Sequence, residues 1–155
     1  MSRSALAITA EHRDLADAAI GQLTRLDTLA AARATLDGGS KNPPEIWSAS
    51  ARLGWTGLAI SEAHGGSGFG LAELAIVLEA QGRQLCPGPF LPTVAAALVI
   101  DRCAQDPPGL LAELANGSKF GALGLSGTMT VGSDLVTSGE SPAVPGAPDA
   151  DVLVL

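Results

Sequence analysis

Four glycines crowd into the six positions from Gly65 to Gly70, between two apolar segments. Glycine loses more backbone freedom on folding than any other residue, so such a cluster costs stability unless the chain needs positive φ or a close backbone approach. The cluster therefore predicts a tight, irregular loop between two helices. A second interruption, from Gly82 to Pro89, follows one short apolar stretch later.

The stretch from Trp55 to Phe90, which includes both interruptions, carries a pattern of acids, glycines, prolines and aromatic residues. Its members are Trp55, Glu62, Gly65, Gly66, Gly68, Glu73, Glu79, Gly82, Arg83, Pro87, Pro89 and Phe90. This pattern resembles the amino-terminal domain of the flavin-dependent acyl-CoA dehydrogenases, including the steroid side-chain type of actinobacteria. Two positions depart from the family pattern, since Ser61 replaces the usual proline and His64 the usual aromatic residue.

Apolar spacing predicts a mainly α-helical first part of the chain. With Thr9 as its N-cap, one helix is expected to run to about Thr35. Pro44 is expected to begin the next helix, because proline's missing N–H costs least in a first turn. Further helices are predicted over residues 71–83, 91–104 and 109–116, the last closed by Gly117.

After Gly117 the chain changes to short β-prone segments separated by Gly, Ser and Pro, over residues 120–125, 134–137 and 151–155. We therefore predict an amino-terminal helical bundle over residues 1–118, followed over 119–155 by the first strands of a β-barrel-like domain. Because a final apolar strand lacks pairing partners, we expect the sequence to be a fragment. The resemblance implies further strands and a carboxy-terminal helical bundle.

The net charge is −7, and the nine basic residues form no run, which argues against nucleic acid or an anionic membrane as the main partner. The apolar stretch at the amino terminus is too short for a signal peptide, and no segment reaches a membrane span of about 18 apolar residues. A cytoplasmic location is expected. The two cysteines are too few for a disulfide framework or a metal site.

The resemblance implies FAD as cofactor, an acyl-CoA substrate and an electron-transfer acceptor. It also implies a homo- or hetero-oligomer of acyl-CoA dehydrogenase subunits. In the family the flavin accepts a hydride from the β-carbon of the thioester while a glutamate removes the α-proton. That glutamate belongs to the carboxy-terminal bundle, so no catalytic residue is assigned in this chain.

The cofactor-binding candidates are Leu125, Ser126 and Gly127, at the end of the first predicted strand. The family carries a Thr-Glu-Pro motif there, and this sequence lacks it. The resemblance implies that these three residues contact flavin through backbone groups. Gly132-Ser133-Asp134 matches the tail of the same motif but is interpreted as a turn between strands.

The substrate-binding candidates are Phe90, Ala95 and Leu98, where the resemblance places part of the acyl pocket. Small side chains leave room for a bulky acyl group, although close helix packing explains the alanines here without any ligand. Glu62 is expected to cap N–H groups of the glycine loop. His64, which has no nearby Cys, Asp or Ser partner in the motif, is interpreted as structural.

Two other functions stay open. The missing Thr-Glu-Pro core suits a degenerate subunit or half that completes a partner acyl-CoA dehydrogenase and binds no flavin itself. A free-standing helical bundle with a binding or structural role is the third hypothesis.

Overall fold

The computed structural model describes residues 8–103, 109–133 and 137–155, which are mainly helical with a few short strands. The helices are α1 (Ala10–Arg25), α2 (Thr28–Leu36), α3 (Pro44–Arg52), α4 (Leu71–Arg83), α5 (Phe90–Cys103) and α6 (Leu110–Ala115). The strands are β1 (Gly121–Leu123), β2 (Thr128–Val131), β3 (Thr137–Glu140) and β4 (Val152–Val154). The predictions that concern residues 104–108 and 134–136 lie outside the described residues.

The first predicted helix is two helices, so that prediction is wrong in its extent. Asp27 lies between α1 and α2 in the left-handed region, at φ 50°. Its carboxylate accepts a hydrogen bond from the N–H of Ala30 at 3.4 Å and so caps α2. Neither glycine nor proline marks this break, and an aspartate tolerates the left-handed conformation better than most residues.

Contacts within the chain group the residues into two compact units. The first comprises Met1–Ile46 and Gly70–Gly88, and in it α1 packs against α4. At the start of these two helices His12 Nε2 donates to Glu73 Oε1 at 3.0 Å. The other carboxylate oxygen of Glu73 accepts from the N–H of Gly70, which caps α4. The predicted domain division at residue 118 stays a prediction.

The second unit comprises Trp47–Phe69 and Pro89–Leu155. Its core is formed by Ile60, Ala97, Ile100, Leu111, Leu114 and Ala115. Thr56 is buried beside this core and donates its hydroxyl to the carbonyl of Ala115 at 2.6 Å. A chain of apolar contacts therefore joins the segment before the glycine cluster to α5 and α6.

The glycine cluster forms the tight loop that the sequence predicts, held by backbone bonds. The N–H groups of Ser67, Gly68 and Phe69 donate to carbonyls of residues 57–60 at 2.9–3.0 Å. A Cβ on Gly66 would collide with the carbonyl of Ile60. The capping role expected for Glu62 is wrong, because main-chain carbonyls accept these hydrogen bonds instead.

The strands pair in two separate two-stranded sheets. β1 runs parallel to β4, with Gly121 opposite Val152 and Leu123 opposite Val154. β2 and β3 are antiparallel, with Thr128 opposite Glu140. β2 was not predicted, because the glycines on either side of Thr-Met-Thr-Val favoured a loop.

Candidate functional site

A cleft of about 220 Å³ opens where β1 ends, in the second unit. It is lined by Gly124, Leu125, Ser126, Gly127, Met129, Ser141 and Leu155. The segment Gly124–Gly127 links β1 to β2, so two strands of different sheets fix its ends. We call this segment the β1–β2 loop.

The β1–β2 loop presents main-chain donors that have no partner. Within the described part of the chain, the N–H groups of Leu125, Ser126 and Gly127 donate to no backbone or side-chain acceptor. The carbonyl of Ser126, by contrast, accepts a hydrogen bond from the Ser141 hydroxyl at 2.8 Å. These three residues are exposed, so their N–H groups are open to solvent or to a ligand, while the carbonyl of Ser126 is already occupied.

The loop lies very close to the chain after β3. A Cβ on Gly127, whose φ is 136°, would collide with the carbonyl of Glu140. A Cβ on Gly124 would lie 2.8 Å from Leu155 Cδ2 and 3.2 Å from Ser141 Oγ. Glycine is needed at Gly127, where the colliding atom is backbone, whereas at Gly124 the nearest atom is the end of the Leu155 side chain. Because the lining side chains are apolar or hydroxylic, the cleft suits a largely uncharged group.

All three cofactor-binding candidates, Leu125, Ser126 and Gly127, line the cleft. Sequence reasoning missed Met129, Ser141 and Leu155, which reach the cleft through strand pairing rather than through neighbouring sequence. The cofactor-binding roles of Leu125, Ser126 and Gly127 remain predictions.

The substrate-binding candidates lie elsewhere, on α5. Phe90 is buried, and Ala95 and Leu98 are half-buried. None of the three lines the cleft at the β1–β2 loop. Their proposed role in an acyl pocket therefore stays a prediction from the resemblance.

A polar cluster of Ser61, His64 and Asp101 joins the segment just before the glycine loop to α5. Asp101 Oδ1 accepts from His64 Nδ1 at 2.7 Å and from the Ser61 hydroxyl at 2.9 Å. The Asp101 carboxylate is also 3.3 Å from the N–H of Ser61, which donates to it. The expectation that His64 lacks a Ser or Asp partner is therefore wrong, because α5 brings Asp101 to the loop from far along the sequence. The two departures from the family pattern, Ser61 and His64, bind the same carboxylate.

This cluster is not a nucleophilic triad. Both Ser61 Oγ and Asp101 Oδ1 contact the same ring nitrogen of His64, whereas a triad uses opposite nitrogens. Burial disfavours the charged form of Asp101, but the hydrogen bonds from His64 and Ser61 outweigh it and lower the pKa of that carboxyl. The cluster therefore ties the loop to α5 through an ionised aspartate.

Neither a metal centre nor a membrane span emerges from the described residues. Among them, no group of three or more His, Cys, Asp or Glu side chains is arranged to hold a metal ion. No helix found in residues 8–103, 109–133 or 137–155 has the length and apolar character to cross a bilayer.

The fold and the glycine loop identify the class of protein. Residues 9–106 match the family model of the acyl-CoA dehydrogenase N-terminal domain. This match covers more than half of the sequence, so the chain belongs to the acyl-CoA dehydrogenase family.

Individual proteins show the same relationship. The chain is 40% identical over 84 residues to the acyl-CoA dehydrogenase IpdE2 of Mycobacterium tuberculosis, a match that covers 54% of this chain and 26% of that protein. The structure of a variant of the Tcur3481–Tcur3483 steroid ACAD is similar, with a TM-score of 0.81 and 29% identity. That similarity covers 92% of this chain and 43% of the other.

The fold is also that of the ChsE4–ChsE5 complex from Mycobacterium tuberculosis, with a TM-score of 0.77 at 23% identity. This similarity covers 99% of this chain and 44% of that chain. The chain thus spans less than half the length of the proteins it resembles. The predicted resemblance to actinobacterial and steroid acyl-CoA dehydrogenases is confirmed.

Proposed function

We propose that this chain is the amino-terminal part of an FAD-dependent acyl-CoA dehydrogenase that converts an acyl-CoA thioester into a 2-enoyl-CoA. The observation that supports it most is the cleft at the β1–β2 loop, where three successive N–H groups are free. Family membership supplies the reaction class. Fatty and steroidal acyl-CoA thioesters are both substrates of the proposed class, and an electron-transfer acceptor completes the reaction in the cytoplasm.

The cleft fits part of the cofactor. Its glycine-lined wall and free N–H groups suit the edge of a flat heterocycle whose oxygen and nitrogen atoms accept hydrogen bonds. Its volume of about 220 Å³ is below the roughly 300–1,000 Å³ typical of ligand pockets. None of the described residues that line it is basic, so the diphosphate of FAD would require donors elsewhere.

The chain's own residues would bind and shield the cofactor. A bound flavin would supply the hydride acceptor for oxidation of the acyl group. The N–H groups of Leu125, Ser126 and Gly127 would orient the ring, and Met129 and Leu155 would exclude water from one side of it. Among the described residues no carboxylate lines the cleft, and the resemblance to the family assigns the base to its carboxy-terminal bundle.

A second candidate function has its own supporting observation. The cleft is small, and its loop lacks the Thr-Glu-Pro core, which favours a degenerate subunit or half that completes a partner's site without binding flavin. The fold is shared with a structure described as a complex of two components. In this alternative the chain acts in a hetero-oligomer of acyl-CoA dehydrogenase subunits.

Flavin content and acyl-CoA-dependent dye reduction distinguish the two functions. The full-length gene product would be purified alone and after co-expression with a candidate partner acyl-CoA dehydrogenase subunit. Ser126→Pro removes one free N–H, and Ser126→Ala keeps it, so only the proline variant should lose flavin. If no preparation of the wild-type protein holds flavin at this loop and Ser126→Pro leaves the activity of a partner unchanged, the non-catalytic function is supported instead.

A further inference from the structure

We propose that Ser141 is a positioning residue that orients the free N–H of Gly127, in the β1–β2 loop, toward a bound ligand. This inference rests on the proposed function, since it takes that ligand to be the flavin ring. Ser141 lies just after β3, far from the loop in sequence but in the lining of the same cleft.

The first step is the hydrogen bond between the two segments. The Ser141 hydroxyl donates to the carbonyl of Ser126 at 2.8 Å. In the described residues, this is the one hydrogen bond that a side chain makes to the segment Gly124–Gly127. Without it, the Ser126 carbonyl would have no hydrogen-bond partner among the described residues, and no hydrogen bond would fix the direction of the Ser126–Gly127 peptide.

The second step is the geometry of that peptide. A peptide unit is planar and trans, so its C=O and N–H point in opposite directions. By fixing the Ser126 carbonyl, Ser141 also fixes the direction of the Gly127 N–H. Rotation of this peptide would replace a donor by an acceptor at the same place, and a ligand atom that accepts hydrogen bonds would be repelled.

The third step is the tight packing that makes Ser141 sensitive to its neighbours. The backbone of Gly127 approaches Glu140 and Ser141 so closely that a Cβ would lie 2.9 Å from Ser141 Cα. On the other side, a methyl group on Gly124 would lie 3.2 Å from Ser141 Oγ and 2.8 Å from Leu155 Cδ2. The backbone contact at Gly127 therefore holds Ser141 close to the loop.

The test measures FAD binding by the full chain, together with the amide resonances of the loop. Ser141→Ala removes the hydroxyl, and Ser141→Thr retains it. One hydrogen bond corresponds to a loss of about two- to tenfold in affinity. We expect this loss in Ser141→Ala, with a shifted flavin absorption band in whatever still binds, and near wild-type affinity in Ser141→Thr.

The amide resonances test the positioning role of Ser141 without any flavin. Ser141→Ala should shift the resonances of residues 125–127 and speed their hydrogen exchange, whereas Ser141→Thr should not. Flavin binding by the wild type with equal affinity in Ser141→Ala overturns the positioning role and leaves the proposed function intact. If the wild type binds no FAD, the proposed function fails, and unchanged amide resonances in Ser141→Ala would then overturn the positioning role as well.

Discussion

Trp47 and Trp55 are both buried, but they differ in the partner of the indole N–H. Trp47 Nε1 donates to the carbonyl of Gly117 at 2.7 Å, and its ring meets Phe120 edge-on at a centroid distance of 4.7 Å. In the part of the chain that the structure describes, the indole N–H of Trp55 has no acceptor. Comparing the phenylalanine variants of these two residues therefore separates the effect of losing the indole hydrogen bond from the effect of losing ring volume.

We expect Trp47→Phe to lower the free energy of unfolding by about 1 kcal/mol more than Trp55→Phe does, because the Gly117 carbonyl loses its donor. Urea denaturation followed by far-ultraviolet circular dichroism measures both variants without relying on tryptophan fluorescence. Equal losses in the two variants would show that the indole hydrogen bond contributes nothing to stability.

The Ser61–His64–Asp101 cluster predicts how acid destabilises the chain. Because the folded pKa of Asp101 is lowered, its ionised form stabilises the fold above the ordinary value of 3.8. That contribution is lost as the pH falls through 3.8 to the lower folded pKa. Asp101→Asn should lower the free energy of unfolding at neutral pH by about 1–3 kcal/mol and weaken its decline over this acid range.

Asp14→Asn is the matched control, since Asp14 is exposed and makes no hydrogen bond or ion pair among the described side chains. Chemical denaturation between pH 3 and pH 7 provides the comparison. A decline in Asp101→Asn as steep as in the wild type would mean that the carboxylate does not hold the loop to α5.

At the scale of elements, Gly66 in the glycine loop and Gly82 in α4 differ in whether their surroundings have room for a side chain. A Cβ on Gly66 would collide with the carbonyl of Ile60, whereas a Cβ on Gly82 within α4 meets no atom within 4 Å. Gly66→Ala should destabilise the chain by about 1–3 kcal/mol through overpacking. Gly82→Ala should stabilise it by about 0.5–1 kcal/mol, because alanine is the better helix former.

Thermal unfolding of the two alanine variants measures this contrast directly. The same substitution at both glycines keeps the added side chain constant, so the difference reports the backbone environment alone. A Gly66→Ala chain that melts at the wild-type temperature would show that the loop rearranges without cost.

The sequence predicts these elements unevenly, for physical reasons. Helices α4 to α6 follow from apolar periodicity and from glycine or proline at their ends. The break at Asp27 and the strand β2 do not, because an aspartate in the left-handed region and a short strand between glycines leave no periodic pattern. Of the cleft, Leu125, Ser126 and Gly127 follow from the family motif, whereas Met129, Ser141 and Leu155 arrive only through strand pairing and folding.

At the scale of the molecule, the outer edge of β4 predicts self-association. Leu153 and Leu155 are about half exposed, and exposed apolar strand edges pair with other chains. We expect the chain to associate as its concentration rises and Leu153→Lys to reduce that association, as measured by sedimentation velocity.

Leu36→Lys serves as the control, since Leu36 is 88% exposed but belongs to helix α2 and to no strand. It should leave association through the β4 edge unchanged. A wild-type chain that stays monomeric at high concentration would contradict the prediction, as would an equal effect of the two lysine variants.

The contact between Thr93 and Gly121 determines which edge of this sheet can pair with another chain. The buried hydroxyl of Thr93, on α5, accepts from the N–H of Gly121 at 3.1 Å and lies 3.4 Å from its carbonyl, to which it donates. In a strand, the N–H and C=O of one residue point to the same edge. A helix side chain thus occupies the place where another strand would bind β1, so this sheet can be extended only outward from β4.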